Sequence, residues 1–226
     1  MDFIKVFHEV FPALIAGLGV TVHVTVLSLF IALVLGLLSC VMGISSFKPF
    51  SWISWFYVWI IRGTPFIVQL FIIYFGLPQM IQSLGLNFRM TSFTAAAITL
   101  SLNAGAYMSE IFRGGIMAVN KGQMEAARSL GLSKGRAMVK VILPQAIRIS
   151  IPALCNQFII TLKDSSLAQV IGLGEIVYQG KMYVGRTMQS FSTYILIGIV
   201  YLFIITILSY AIKIIERRLS LNGKKG

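Results

Sequence analysis

The stretch Glu125 to Gly131, EAARSLG, is small, polar and charged, and it interrupts a chain that is otherwise mostly apolar. Of 226 residues, 57% are hydrophobic and only 12% are charged, far from the balance of a soluble globular domain. Apolar runs of about 18 or more residues read as transmembrane helices, and such runs lie on both sides of the stretch. The fold class that follows is all-α and polytopic. EAARSLG is then an exposed connection between spans.

Working outward, the sequence predicts five spans. The first covers about Ala13 to Gly43, the second about Pro65 to Ile81 and the third about Ser92 to Met117. The fourth covers about Ile151 to Ile171 and the fifth about Phe191 to Ile212. Between the first two, aromatic-rich Trp52 to Ile61 suits a helix lying at the membrane interface. Pro65 should break it, since proline disfavours a helical residue before it and suits a helix start. Met1 to Pro12 carries Asp2, Lys5, His8 and Glu9, which does not read as a removable signal peptide. No internal repeat is apparent, and residues 1–226 read as a single membrane domain.

Lys and Arg set the orientation. The connection between spans three and four holds Lys121, Arg128, Lys134, Arg136, Lys140 and Arg148, and the tail adds Lys213, Arg217, Arg218, Lys224 and Lys225. The opposite connections hold only Arg89, Lys181 and Arg186. The positive-inside rule puts the central connection and the C-terminus in the cytoplasm and, with five spans, the N-terminus outside. This asymmetry also accounts for the net charge of +12 without nucleic acid. Cys40 and Cys155 lie in apolar segments and read as core residues, and two histidines are too few and too scattered for a zinc site.

The central connection, about residues 118–150, reads as two short helices. Gln123 to Leu130 are good helix formers, and Gly131 is a natural C-terminal stop. Ser133 can cap a second helix, Lys134 to Leu143, that Pro144 should end. AARSLGLSKGRAMV therefore looks like a helix-turn-helix, and a membrane-tethered DNA-binding regulator is one competing class. Geometry disfavours it: some thirty residues between two spans leave no room for a third packing helix or for reaching a groove. A basic loop that merely fixes topology is the plainest alternative.

The longer stretch GQMEAARSLGLSKGRAMVKVILPQAIRISIPAL resembles the EAA loop of binding-protein-dependent ABC importer permeases. YVWIIRGTPFIVQLFIIYFGLP, AYMSEIFRGGI and NQFIITLKDSSLAQVI resemble their polar-amino-acid subfamily, the histidine, glutamine, arginine and cystine type. The resemblance covers nearly the whole chain; one departure is Ser165, where the family more often has threonine. It implies a non-catalytic transport subunit of a bacterial cytoplasmic membrane, and a lipid bilayer as solvent. Its implied partners are two cytoplasmic ATP-binding subunits, a second permease subunit (identical or paralogous) and an extracytoplasmic solute-binding protein. The chain lacks GxxxxGK[ST], so ATP would be bound by a partner and no cofactor or metal by this chain. A secondary amino-acid transporter is the runner-up, disfavoured by the docking loop.

The resemblance makes Gly122, Glu125, Ala126, Ala127, Leu130, Gly131 and Leu132 the ATPase-coupling residues. Ala126 and Ala127 permit close approach, Glu125 suits the positive end of a helix dipole, and Gly131 gives the turn. Polar groups inside spans are the other candidates, because burying them in a membrane is costly. In span three, Thr99, Asn103, Tyr107 and Glu110 share a helical face by spacing. Lys163-Asp164-Ser165-Ser166 suggests a break in span four. Asn103, Tyr107, Glu110, Arg62, Gln69, Asp164 and Ser165 are thus substrate-pathway candidates, with Glu110 suited to a substrate ammonium group. The opposing reading makes Glu110–Arg113 and Lys163–Asp164 structural ion pairs.

Overall fold

Backbone in hydrocarbon must close its hydrogen bonds internally, which leaves helices or closed barrels. The computed structural model, which describes residues 3–223, takes the first option and has no strand among the described residues. Eight helices follow in order: α1 (Phe3–Gly43), α2 (Lys48–Gly63), α3 (Phe66–Ser83), α4 (Ser92–Ala118), α5 (Lys121–Ser129), α6 (Lys134–Ile171), α7 (Ile176–Thr187) and α8 (Ser190–Gly223). Lys224 and Lys225 of the basic tail lie outside the described residues.

Four helices among the described residues are long and apolar enough to cross a membrane: α1, α3, α6 and the part of α8 from Ser190 to Ile214. The expected third span, α4, is not in that set. Its sequence is rich in small and polar residues, and fourteen of its 27 residues are buried. Wrapped by its neighbours, α4 needs little apolar exterior.

The core is the packing of α1 against α4. Ser28 Oγ donates to the Ala97 carbonyl at 3.2 Å, and Ser109 Oγ donates to Ser39 Oγ at 3.1 Å. The near-constant offset between partners means that the two helices run parallel. Glycines set their spacing. A Cβ on Gly36 would lie 2.8 Å from Met108 Cβ and 3.1 Å from the Gly105 carbonyl. A Cβ on Gly105 would meet Leu35 Cβ at 3.1 Å and Tyr57 Oη at 2.8 Å. α6 packs antiparallel to α4 beside α1, with Ser150 Oγ donating to Ile111 O and with Leu154 and Phe158 joining Leu29, Met108 and Phe112 in one cluster. At the N-terminal end of α1, Val6, Val10 and Leu14 pack with Ile176, Tyr183, Leu196 and Ile197 of α7 and α8. That packing carries the α1 helix back to Phe3, through Pro12, ten residues beyond the expected start.

Proline placement produced the clearest departure from the sequence reading. Pro144 does not end a short helix; Lys134–Ile171 runs on without interruption. One π-turn, Met138–Ile142, precedes the proline. A second π-turn, Ile72–Gly76, precedes Pro78 in α3. Proline lacks an N–H and its ring crowds the carbonyl four residues back. Each π-turn spans that carbonyl (Lys140 and Tyr74), so the wider turn relieves the clash without breaking the helix. Gln145 Nε2 also donates to the adjacent Val141 carbonyl at 2.8 Å. The connection after span four likewise contains a helix, α7, that the sequence reading left as a loop.

Replacing Gly36 with Val should force α1 and α4 apart and destabilise the protein by about 1–3 kcal/mol, the usual cost of overpacking. The expected readout is a lower thermal unfolding midpoint in detergent. Gly198→Val on α8, where a Cβ meets nothing within 4 Å, should leave the midpoint unchanged.

Candidate functional site

The break at Arg62-Gly-Thr-Pro65 organises the first part of the site. Pro65 is extended, with φ −64° and ψ 140°, and separates α2 from α3. One side chain closes the frayed end of α2: Gln69 Nε2 donates to Ile61 O at 2.7 Å, Thr64 O at 3.0 Å and Thr64 Oγ1 at 2.9 Å. The other end of the same amide, Gln69 Oε1, accepts from Asn103 Nδ2 at 3.0 Å. Gln69 and Asn103 are both buried. They clamp the break onto α4.

Two turns further along α4, Glu110 meets two guanidinium groups. Arg113 donates through Nε to Oε1 at 2.9 Å and through Nη2 to Oε2 at 2.7 Å, and Arg62 Nη1 donates to Oε2 at 3.1 Å. The Arg62 guanidinium also sits 5.4 Å from the Tyr107 ring centroid, within cation–π range. These groups line a cavity of about 640 Å³ whose wall includes Trp55 and Trp59, their rings stacked at 5.7 Å. Charge counting gives two cations and one anion. Both Glu110 oxygens are occupied, so the surplus charge facing the cavity is positive.

Three of the seven pathway candidates, Arg62, Tyr107 and Glu110, line this cavity; Gln69 and Asn103 bond to each other, buried and outside its wall. Thr99, which shares their helical face by spacing, is fully buried and donates to its own Ala95 carbonyl. Asp164 and Ser165 lie elsewhere. Ser165 is fully buried, donates to Leu162 O at 2.7 Å, and opens the 3₁₀ segment Ser165–Ile171 that ends α6. Residues Ala168 and Ile171 of that segment pack with Ala95, Ala96 and Ala97, at the opposite end of α4 from Glu110. The break in span four is a tightening of the helix to 3₁₀ form. No ion pair within 4 Å joins Lys163 to Asp164 among the described residues; both ion pairs there belong to Glu110.

The EAARSLG stretch forms α5 and its stop. Asn120 Oδ1 accepts from Gly122 N at 2.8 Å and caps the helix start. At the other end Gly131 has φ +85°. Gly131 N donates to Arg128 O and Leu132 N to Ala127 O, the paired bonds of a Schellman stop. Glu125 and Ala126 are exposed, and Leu130 is 85% exposed, an apolar side chain presented at the turn. Ala127 is buried, so of the two alanines only Ala126 is open to a partner. Met124 anchors α5 on Val119, Ile142 and Ala146, where α4 ends and α6 begins.

The sequence reading missed three caps, the first being Thr91, whose hydroxyl accepts from Thr94 N at the start of α4. Asn120 was visible as an asparagine directly before the helix. Glu175 caps α7 by accepting from Val177 N and Tyr178 N and is held by the Tyr201 hydroxyl, a contact 26 residues away that no local signal carries.

Residues 32–221 match the family described as binding-protein-dependent transport system inner membrane component. The chain belongs to this family. The arginine transport system permease protein ArtQ of Bacillus subtilis (strain 168) is 41% identical over 211 residues, 93% of this chain and 94% of ArtQ. The glutamine transport system permease protein GlnP of Escherichia coli (strain K12) is 37% identical over 210 residues, covering 93% of this chain and 94% of GlnP. The L-cystine transport system permease protein TcyB of Bacillus subtilis (strain 168) is 39% identical, covering 92% and 87%. Among solved structures, a chain of an amino acid ABC transporter crystallised with histidines is 38% identical and superposes with a TM-score of 0.90, over 96% of this chain and 99% of that one. A chain of the inward-facing MetNI methionine ABC transporter, 21% identical with a TM-score of 0.75, shares the fold. As a member of this permease family, the chain is a multi-pass inner-membrane transport component whose ATPase is a separate subunit.

If Glu110 is the strut between two arginines, Glu110→Gln should leave Arg62 and Arg113 facing each other and lower the unfolding midpoint of the permease. A double-mutant cycle with Arg113→Gln should give a coupling energy of only ~1 kcal/mol, because the pair is partly exposed. Strict additivity of the two single effects would remove the strut.

Proposed function

We propose that this chain is the permease subunit of an ATP-driven ABC importer for polar amino acids, of the basic, glutamine or cystine class. The observation that carries the reading is identity of 37–41% across more than nine-tenths of relatives named for arginine and glutamine transport. In this reading residues 1–226 are one membrane domain with five spans, α4 being the central one. The coupling loop and the C-terminus face the cytoplasm and the N-terminus faces outside, as the Lys and Arg asymmetry supports. Two such subunits, identical or paralogous, enclose the path between them. Two cytoplasmic ATPases seat on α5 and its Leu130 turn, and an extracytoplasmic binding protein delivers the substrate.

Coupling then runs through short covalent links. Docking helix α5 is joined by Val119 and Asn120 to α4, which carries Asn103, Tyr107 and Glu110. The expectation that Glu110 receives an ammonium group gives way, because its oxygens are taken by Arg62 and Arg113. The surplus positive charge suits the substrate carboxylate instead.

Gly131 tests the coupling. At φ +85° a β-branched residue is strained, whereas asparagine tolerates the left-handed region. In reconstituted vesicles, ATPase stimulation by liganded binding protein should fall in the order wild type, Gly131→Asn, Gly131→Val, with the protein still inserting. Full stimulation in Gly131→Val would remove the docking role.

Orientation is tested by labelling. In a background lacking Cys40 and Cys155, Ser133→Cys should react with impermeant maleimide only from the cytoplasmic side and Gly185→Cys only from outside. Gly185 is used because a Cβ there meets nothing within 4 Å, whereas one on Gly180 would collide with Ile197. The reverse labelling pattern would invert the topology.

A further inference from the structure

The chain holds seven acidic residues against nineteen Lys and Arg, so a carboxylate able to meet a cationic side chain is scarce. Away from the cavity, Glu9 accepts from Tyr183, Glu125 lies on the docking helix and Glu216 sits in the α8 tail. Glu175 is fully buried as the cap of α7, and Asp2 lies outside the described residues. Asp164, at the other end of α4 from the cavity, directly follows exposed Lys163. That leaves Glu110. Its two oxygens accept three charge-assisted bonds from two guanidinium groups. A third cation brought to the same carboxylate would face both of them.

The two arginines are not equivalent. Arg113 engages every nitrogen, with Nε and Nη2 on Glu110 and Nη1 on the Met117 sulfur at 3.9 Å. Arg62 spends only Nη1 on Glu110; among the described residues no hydrogen bond holds its Nε or Nη2. Its guanidinium is nevertheless fixed, by that one bond and by the Tyr107 ring beneath it at 5.4 Å. A held guanidinium with two adjacent open nitrogens is a ready fork for a carboxylate. Glu110 and Arg113 are then positioning residues: they set where the fork stands, and their own charges cancel. The charge of Arg62 is the one left uncompensated in the cavity.

We infer that this cavity admits amino acids whose side chain is uncharged or acidic and rejects those whose side chain is cationic, with Arg62 receiving the α-carboxylate. The inference rests on the importer reading and narrows its substrate class. The α-ammonium group is common to every amino acid, so it does not discriminate among them. A second positive charge does. In a partly buried site, like charges several Å apart repel enough to weaken binding by about tenfold.

The chain carries its own probe, because its three tryptophans, Trp52, Trp55 and Trp59, all lie on α2 and two of them line the cavity. The test titrates glutamine, glutamate and arginine into the assembled transporter in pure phosphatidylcholine nanodiscs, without nucleotide or binding protein, and reads tryptophan fluorescence. Glutamine and glutamate should give saturable changes. Arginine should need about tenfold more for the same change, with the gap closing at high salt. Arg62→Lys, which keeps the charge without the planar fork, should weaken glutamine several-fold and preserve the disadvantage of arginine. Arg62→Gln, which leaves Glu110 and Arg113 balanced, should weaken glutamine and bring arginine level with it. Arginine binding the wild type as tightly as glutamine, or a disadvantage of arginine that survives Arg62→Gln, would overturn the inference. So would the absence of any saturable change, or a change that persists in Trp55→Phe with Trp59→Phe and so arises elsewhere. ATP-driven uptake is measured separately in vesicles with the binding protein; a wild type that imports no amino acid there would instead sink the importer reading.

Discussion

The close parallel contact of α1 with α4 is the constraint on which the rest of the structure depends. Gly36 and Gly105 let the two backbones approach, and serine hydroxyls bridge them at either end. Small residues and hydroxyl contacts suit helix association in lipid, where apolar side chains gain little by leaving one oily solvent for another. This contact frees α4 from needing an apolar exterior. The helix can then carry an amide, a phenol, a carboxylate and a guanidinium at successive turns and still sit inside the bundle. It also fixes the docking helix, because α5 hangs from the end of α4.

Much of this was legible in sequence, and the losses have physical causes. EAARSLG announced a helix with a glycine stop, and Gly131 adopts the left-handed stop that only local chemistry requires. The spacing of Asn103, Tyr107 and Glu110 gave a shared face, since helical geometry is periodic. That face could not reveal that Arg62 would join Arg113 on Glu110, because the partner comes from 48 residues away. Nor could the sequence place Asp164 and Ser165, which lie at the other end of α4 from that face: a polar run in an apolar segment signals cost, but not which neighbour meets it. Ser165 meets it with its own helix carbonyl. Pro144 was read by its local rule as a helix end, and the structure answers that rule with a wider turn.

The charge triad changes how the site is understood. An acid alone on a span would be a cation site. Held on both oxygens by arginines, it becomes a frame that keeps two guanidinium groups at a set spacing and leaves one positive charge unbalanced. Because Arg62 ends α2 just before the Pro65 break, the frame also ties that break to α4, as the Gln69–Asn103 bond does two turns earlier on α4. Two separate bonds thus fasten the same discontinuity.

The two π-turns have an effect on how the rest of the chain is indexed. A single π-turn acts as one inserted residue, and one residue rotates everything after it by about 100° around the helix axis. Beyond Ile142, the buried positions up to Asp164 are Ala146, Ser150, Gln157, Thr161 and Leu162, the first four spaced four, seven and four apart as in an ordinary helix. Their phase is counted from the π-turn, not from Lys134. The loop helix and the span behind it are continuous in backbone but belong to two different wheel diagrams. An inserted or deleted residue between positions 138 and 142 would therefore do more than alter a loop: it would turn the whole of the following span to face its neighbours with the wrong side.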